Sequence, residues 1–208
     1  YAYELLIKSK QQPLGLLALF NKTAIEVCEG QQWDMDFEQR ADVSIDAYLE
    51  MIRLKTSVLL AASLQMGAMA GKASEEQAAA LYNFGIQLGL AFQLQDDYLD
   101  AFGEVAKLGK QKGGDIQANK KTYLLLKAME LANEEQKNQI EALLQSTAED
   151  KVAQMLSLFE ATKAKDACKT LMQQYTQAAF DSLESLSIAP HKKEPFIQVT
   201  NYLLNREY

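Results

Sequence analysis

Gly85-Ile86-Gln87-Leu88-Gly89-Leu90-Ala91-Phe92-Gln93-Leu94-Gln95-Asp96-Asp97-Tyr98-Leu99-Asp100-Ala101-Phe102 is an apolar run that closes on three carboxylates. A helix turns about 100° per residue, so with Asp96 at zero, Asp100 falls at about 40°, Gln93 at about 60° and Asp97 at about 100°. The four polar groups share one side. Between Arg53 and Lys107 the sequence holds no cation except Lys55 and Lys72. Crowded carboxylates raise one another's pKa unless a cation sits among them. Hard oxygen donors of this kind suit Mg²⁺, which takes one or two carboxylates and completes its shell with water and substrate phosphates. The competing reading is a solvated acidic face. Against it stand Phe92, Leu94, Tyr98, Leu99 and Phe102 around the acids. Gly85 and Gly89 fall on the Asp96 stripe, where another helix or a ligand could come close.

Outward from this segment, helix is expected nearly throughout. Ser74-Glu75-Glu76-Gln77 is a capping box that opens the helix ending at Phe102. Before it, Ser44 to Ala70 is a long helix capped by Asp42 or Ser44 and stopped at Gly71. A helix over Leu14 to Glu29 is entered at Pro13 and stopped near Gly30, after a stub at Tyr1 to Leu6. Downstream, Gly103 to Asn119 reads as a glycine- and lysine-rich loop. It is followed by helices over Lys120–Leu131, Glu134–Gln145, Glu149–Thr162, Asp166–Leu186 and, past a break at Pro190, Lys192–Asn205. No strand pattern, repeat or low-complexity linker is visible. The polar stretch from Asn133 to Lys165 is expected at the periphery.

Two further groups could take part in chemistry. Lys107, Lys110, Lys112, Lys120 and Lys121 crowd fifteen residues that hold one acid, Asp115, and the glycines Gly109, Gly113 and Gly114. A glycine loop with clustered ammonium groups suits phosphate oxygens, and a metal-binding acid cluster beside it would complete a metal–diphosphate site. In the Ser44–Ala70 helix, Ile45, Tyr48, Leu49, Ile52 and Leu59 form an apolar stripe. Lys55 and Thr56 interrupt it at about −60° and about +40° from Ile52. A lysine facing a core needs a partner or pays a large desolvation cost; the competing reading is a side chain that snorkels to water, and a carboxylate or a diphosphate is the expected neighbour of Lys55. Gln31 and Asp34 read as loop residues after Gly30. His191 has no partner pattern and receives no role.

Composition narrows the class. The 208 residues are 48% hydrophobic and 24% charged, with three prolines and ten glycines, as in an ordinary helical globule. A net charge of −7 argues against nucleic-acid binding, which needs a basic face. Cys28 and Cys168 show no metal or redox spacing, which suits a reducing cytoplasm. No run is long and uncharged enough for a membrane span.

With these residues in place, Phe92 to Asp100 resembles the second aspartate-rich motif of the trans-prenyltransferases, the polyprenyl diphosphate synthases. Gly109-Lys110, Gly113-Gly114-Asp115-Ile116 and Asn119-Lys120-Lys121-Thr122 follow in that family's order. Upstream, Lys55-Thr56 is similar to its Lys-Thr pair and Gly30-Gln31 with Asp34 to its Gly-Gln-x-x-Asp element. The resemblance implies an all-α isoprenoid-synthase fold, with residues 1–208 forming a single all-α domain that covers the C-terminal two thirds of the family's domain. It implies a homodimer that condenses isopentenyl diphosphate with an allylic diphosphate, with Mg²⁺ as cofactor, in the cytoplasm that the cysteines suit. Asp96 would then be a direct metal ligand, with Asp97 and Asp100 beside it, partly through water. Lys55, Thr56, Gln93 and Lys110 would contact the allylic diphosphate as catalytic and binding residues. Lys120 would assist the metal-bound phosphate, and Gln31 and Asp34 would support the pocket wall.

One departure is large. The family's first aspartate-rich motif and its arginines have no counterpart; Asp34-x-Asp36 and Asp42-x-x-x-Asp46 do not match it. The motif is expected upstream of Tyr1, since Tyr1 to Leu6 resembles the helix after it. The 208 residues are therefore expected to turn over no substrate alone. The alternative is a noncatalytic helical subunit that modulates a partner synthase. Terpene cyclisation or head-to-head condensation fits the lysine loop less well.

Overall fold

The computed structural model describes residues 1–103 and 112–204. Among them there is no strand; every regular element is a helix. The first two are α1 (Ala2–Ile7) and α2 (Pro13–Gln39). Next, α3 (Ile45–Ile52) passes through a π-helical turn, Arg53–Ser57, into α4 (Val58–Ala70). The long α5 (Glu75–Phe102) is followed by one turn, α6 (Gly114–Gln117), and then α7 (Tyr123–Leu131). The chain closes with α8 (Glu134–Leu144), α9 (Lys151–Ala161), α10 (Ala164–Glu184) and α11 (Pro190–Leu204). The expected capping box is present: Ser74 Oγ accepts the Gln77 N–H while Gln77 Oε1 accepts the Ser74 N–H. At α3 the cap is Ser44, whose hydroxyl accepts the Ala47 N–H at 3.1 Å.

α5 is the axis of the fold, with α4 packed on one side and α10 on the other. Two glycines permit the close approach of α4 and of the π turn before it. A Cβ on Gly85 would stand 2.5 Å from Ala61 Cα, and one on Gly89 2.6 Å from Ser57 Cα. The close approach foreseen at these glycines is made by a helix.

Several sequence expectations are corrected. Gly30 does not stop α2, which runs on to Gln39. A Cβ on Gly30 would lie 2.4 Å from the Lys55 backbone nitrogen, so this glycine serves a helix crossing. Gln31 and Asp34 are consequently helical. Leu59, assigned to the buried stripe with Tyr48 and Ile52, is 56% exposed. The π turn between them inserts backbone that an α-helical wheel does not count, and it rotates everything after it out of phase. Pro190 begins α11 instead of preceding it, which suits a residue without an N–H. The polar Asn133–Lys165 stretch is not merely peripheral, since Ile140, Met155 and Phe159 are fully buried in the main core. Lys107, Gly109, Lys110 and Asn205 lie outside the described residues.

The main core joins α3, α5, α7, α8, α9 and the start of α10. A second cluster, built on Phe84, Leu88 and Leu183, closes the other end of α5 against α11. The acids of α5 stand at the main-core end, where α2, the π turn and α6 also meet.

Candidate active site

These elements enclose a cavity of about 230 Å³ lined by Asp34, Lys55, Gln93, Asp96, Asp97, Asp100, Asp115 and Lys120, with Phe37, Tyr48, Met51 and Leu99 among its apolar members. Residues from far apart in sequence meet because α2, α3 with its π turn, α5 and the segment around α6 all deliver side chains to it. α2 presents Asp34 one turn past the Gly30 crossing. That crossing presses α2 against the π turn, which brings Lys55 Nζ within 2.6 Å of Asp34 Oδ2. The expected carboxylate partner of Lys55 is therefore Asp34.

Thr56, next in the π turn, does not line the cavity itself. Its hydroxyl donates to Gln93 Oε1 at 3.1 Å, and Gln93 Nε2 donates to Asp97 Oδ1 at 3.1 Å. The other oxygen, Asp97 Oδ2, accepts a hydrogen bond from the Tyr48 hydroxyl. Both side chains are buried. Burial pushes the Asp97 carboxyl up to about 7, against the opposing pull of the Tyr48 hydrogen bond, while the charge of Asp115 adds to the rise. Burial, then the charge of Asp97, raises the Tyr48 hydroxyl well above the usual tyrosine range. Sequence reasoning placed Tyr48 on an apolar stripe and gave it no role. The available signal was its hydroxyl, which needs a partner once the ring is buried.

Asp100 joins the acid helix to the lysine segment. Its Oδ2 accepts the Asp115 N–H at 3.0 Å, and its backbone carbonyl accepts the Gly113 N–H at 2.8 Å. Burial raises its pKa while the Asp115 N–H lowers it. A Cβ on Gly114 would stand 3.3 Å from Asp100 Oδ1, so glycine keeps this approach open. Asp115, read from the sequence as the one acid in the loop and as part of the Gly113–Ile116 run but given no role, pairs with Lys120 at 2.6 Å and raises the lysine's pKa, chiefly through that hydrogen bond. Asp96 is exposed on the cavity rim. Gln31 is also exposed but lies outside the cavity lining. Lys110 falls outside the described residues.

Charge decides what the cavity can hold. Six acids (Asp34, Glu38, Asp96, Asp97, Asp100, Asp115) and three lysines (Lys55, Lys120, Lys121) line it among the described residues. A free diphosphate would add to that negative surplus, so it needs accompanying cations. Among the described residues no three Asp, Glu, His or Cys side chains converge as a closed metal cage. Carboxylates that reach a cation singly fit Mg²⁺, which keeps several waters and shares phosphate oxygens. The Lys55–Asp34 and Lys120–Asp115 pairs are partly exposed, and such pairs are worth roughly 0–1 kcal/mol. A ligand's phosphate can therefore exchange with them at little cost.

The family model for polyprenyl synthetase matches residues 1–161. The chain belongs to the polyprenyl synthetase family. As a polyprenyl synthetase homologue it is 34% identical over its full length to a short chain isoprenyl diphosphate synthase of Methanothermobacter thermautotrophicus, of which it covers 64%. Its fold superposes on a geranylgeranyl pyrophosphate synthase crystal structure with a TM-score of 0.89 and 42% identity, covering 100% of this chain and 65% of that one. The geranylgeranyl pyrophosphate synthase of Corynebacterium glutamicum, solved with isoprenyl diphosphate and magnesium, superposes at a TM-score of 0.87 with 27% identity. That match covers 95% of this chain and 57% of that one. The chain thus spans just under two thirds of the length of the first curated relatives it matches.

Proposed function

We propose that the protein is a prenyltransferase that elongates prenyl chains, condensing isopentenyl diphosphate with an allylic diphosphate, and that the cavity holds the allylic diphosphate. The observation that carries this reading is the meeting of Asp96, Asp97 and Asp100 with Lys55 and Lys120 around one space. In the reaction the carbon–oxygen bond of the allylic diphosphate breaks and the bonding pair leaves with diphosphate. The double bond of isopentenyl diphosphate attacks the allylic cation, and loss of a proton restores a double bond. Asp96, with Asp97 and Asp100 nearby, would hold Mg²⁺, which when bound neutralises phosphate charge and promotes departure of the leaving group. Lys55 and Lys120 would bind phosphate oxygens by exchange with Asp34 and Asp115, and Lys110 would join them. Their charge would stabilise the leaving diphosphate more than the intact ester, as electrostatic catalysis requires. Gln93, tied to Thr56 and Asp97, would keep that wall fixed.

The 208 residues carry one aspartate-rich motif, so we expect ligand binding without turnover from this chain alone. The reading extends to a cytoplasmic homodimer. Free Cys28 and Cys168 support the compartment; exposed Leu5, Ile7, Leu14 and Ile25 on α1 and α2 support the association. Titration calorimetry with an allylic diphosphate and Mg²⁺ tests the site: the chain should bind and Asp96→Ala should bind at least about tenfold more weakly. Equal weak binding by both removes the metal–diphosphate reading. Product formed by the 208 residues from both diphosphates would overturn the expected lack of turnover.

A further inference from the structure

Asp115 and Lys120 reach the cavity from a segment with little structure of its own. It contains the single turn α6, bracketed by two residues of positive φ, Gly113 at 78° and Asn119 at 54°. One helical turn does not hold itself together in isolation. Beyond the two hydrogen bonds that Gly113 and Asp115 make to Asp100, the segment rests on the first two residues of α9. Val152 fills the space over Gly113, where a Cβ would stand 2.4 Å from Val152 Cγ1. Lys151 Nζ donates to Asn119 Oδ1 at 2.8 Å, and Asn119 Nδ2 donates to the Leu144 carbonyl at 3.0 Å. Asn119 is thereby pinned from both sides of its amide.

Lys151 is an unexpected residue for its place. It is only 5% exposed, and burying an ammonium group is costly. It also stands first in α9, at the helix end that favours negative charge. Neither circumstance stabilises α9. What the ammonium gains is the Asn119 amide, and through it a fixed course for the next residue, Lys120.

We propose that Lys151 is a positioning residue for the diphosphate site: it holds Asn119 in its left-handed conformation and so sets where Lys120 and Asp115 stand over the cavity. Lys151 itself is not part of the cavity lining. The inference rests on the diphosphate reading of that cavity, and its test separates the two.

Lys151→Met keeps the apolar stem and removes the donor, Lys151→Arg restores a donor, and Asn119→Gly keeps the positive φ while removing the acceptor. The first readout, taken without ligand, is amide hydrogen exchange in residues 114–122. Exchange should be about tenfold faster in Lys151→Met and Asn119→Gly and close to the parent in Lys151→Arg. The second is calorimetric titration with inorganic diphosphate and Mg²⁺, expected about tenfold weaker in Lys151→Met and restored in Lys151→Arg. Unchanged exchange in both Lys151→Met and Asn119→Gly overturns the clamp. Faster exchange with unaltered diphosphate affinity overturns the positioning role. Loss of protection that spreads equally through α5 assigns Lys151 to general stability and also overturns it. If the parent chain binds no diphosphate, the functional reading fails, while exchange still decides whether Lys151 holds the segment.

Discussion

Asp97 is held by two donors on its two oxygens, Tyr48 and Gln93. A carboxylate so engaged serves better to fix its neighbours than to embrace a cation alone. Tyr48→Phe would leave one buried oxygen without its donor, at a cost of about 1–3 kcal/mol. Chemical denaturation should show that loss as a lower midpoint with an unchanged slope. Cys168 illustrates burial without function. Burial, with the Asp97 charge adding to it, pushes its thiol up to about 12, whereas Cys28 is exposed. Because the thiolate is the reactive form, a thiol reagent at pH 8 should label one cysteine per native chain and two after denaturation. The fold holds the protonated thiol, so this contribution is intact below the unfolded thiol's pKa of about 8.5. It is lost as pH rises from there toward 12. Melting temperature should fall over that range, and fall less in Cys168→Ala.

At the scale of elements, helix crossings decide where the site's groups stand. The π turn carries Lys55 and Thr56, and α2 reaches it only because Gly30 has no side chain. Gly30→Ala would drive a methyl to 2.4 Å from the Lys55 backbone nitrogen. None of the atoms it would meet, the Lys55 nitrogen and the Leu54 carbonyl carbon and Cβ, is a flexible side-chain end, so the helices must separate, at about 1–3 kcal/mol. The Lys55–Asp34 pair should open with them. Gly67 in α4 is the control, since a Cβ there meets nothing within 4 Å. Gly67→Ala should raise stability by about 0.5–1 kcal/mol through helix propensity. Thermal melts of the two variants, moving in opposite directions, check the argument.

Across the whole molecule, the net charge of −7 and the acid surplus of the cavity act in the same direction. Both repel a free diphosphate. Binding should therefore vanish when a chelator removes divalent cations and return on addition of Mg²⁺, whereas raising salt alone should not substitute for the metal. Calorimetry with and without chelator makes the comparison. Diphosphate bound equally well in chelator would contradict the charge argument and shift the weight of the site onto its lysines.

The all-α class, the α5 helix with its cap, and the candidate acids could be read in the chain because periodicity, capping and charge spacing are local properties. The order of its motifs carried the family resemblance for the same reason. Which residues meet was decided by tertiary structure. The π turn displaced Leu59 from its expected face, and the Gly30 crossing turned a supposed helix stop into the contact that pairs Lys55 with Asp34. Tyr48 and Asp97 lie 49 residues apart, and Lys151 acts on Asn119 across 32. Pairings at such separations depend on how helices cross, and helix periodicity along one segment says nothing about what arrives from another.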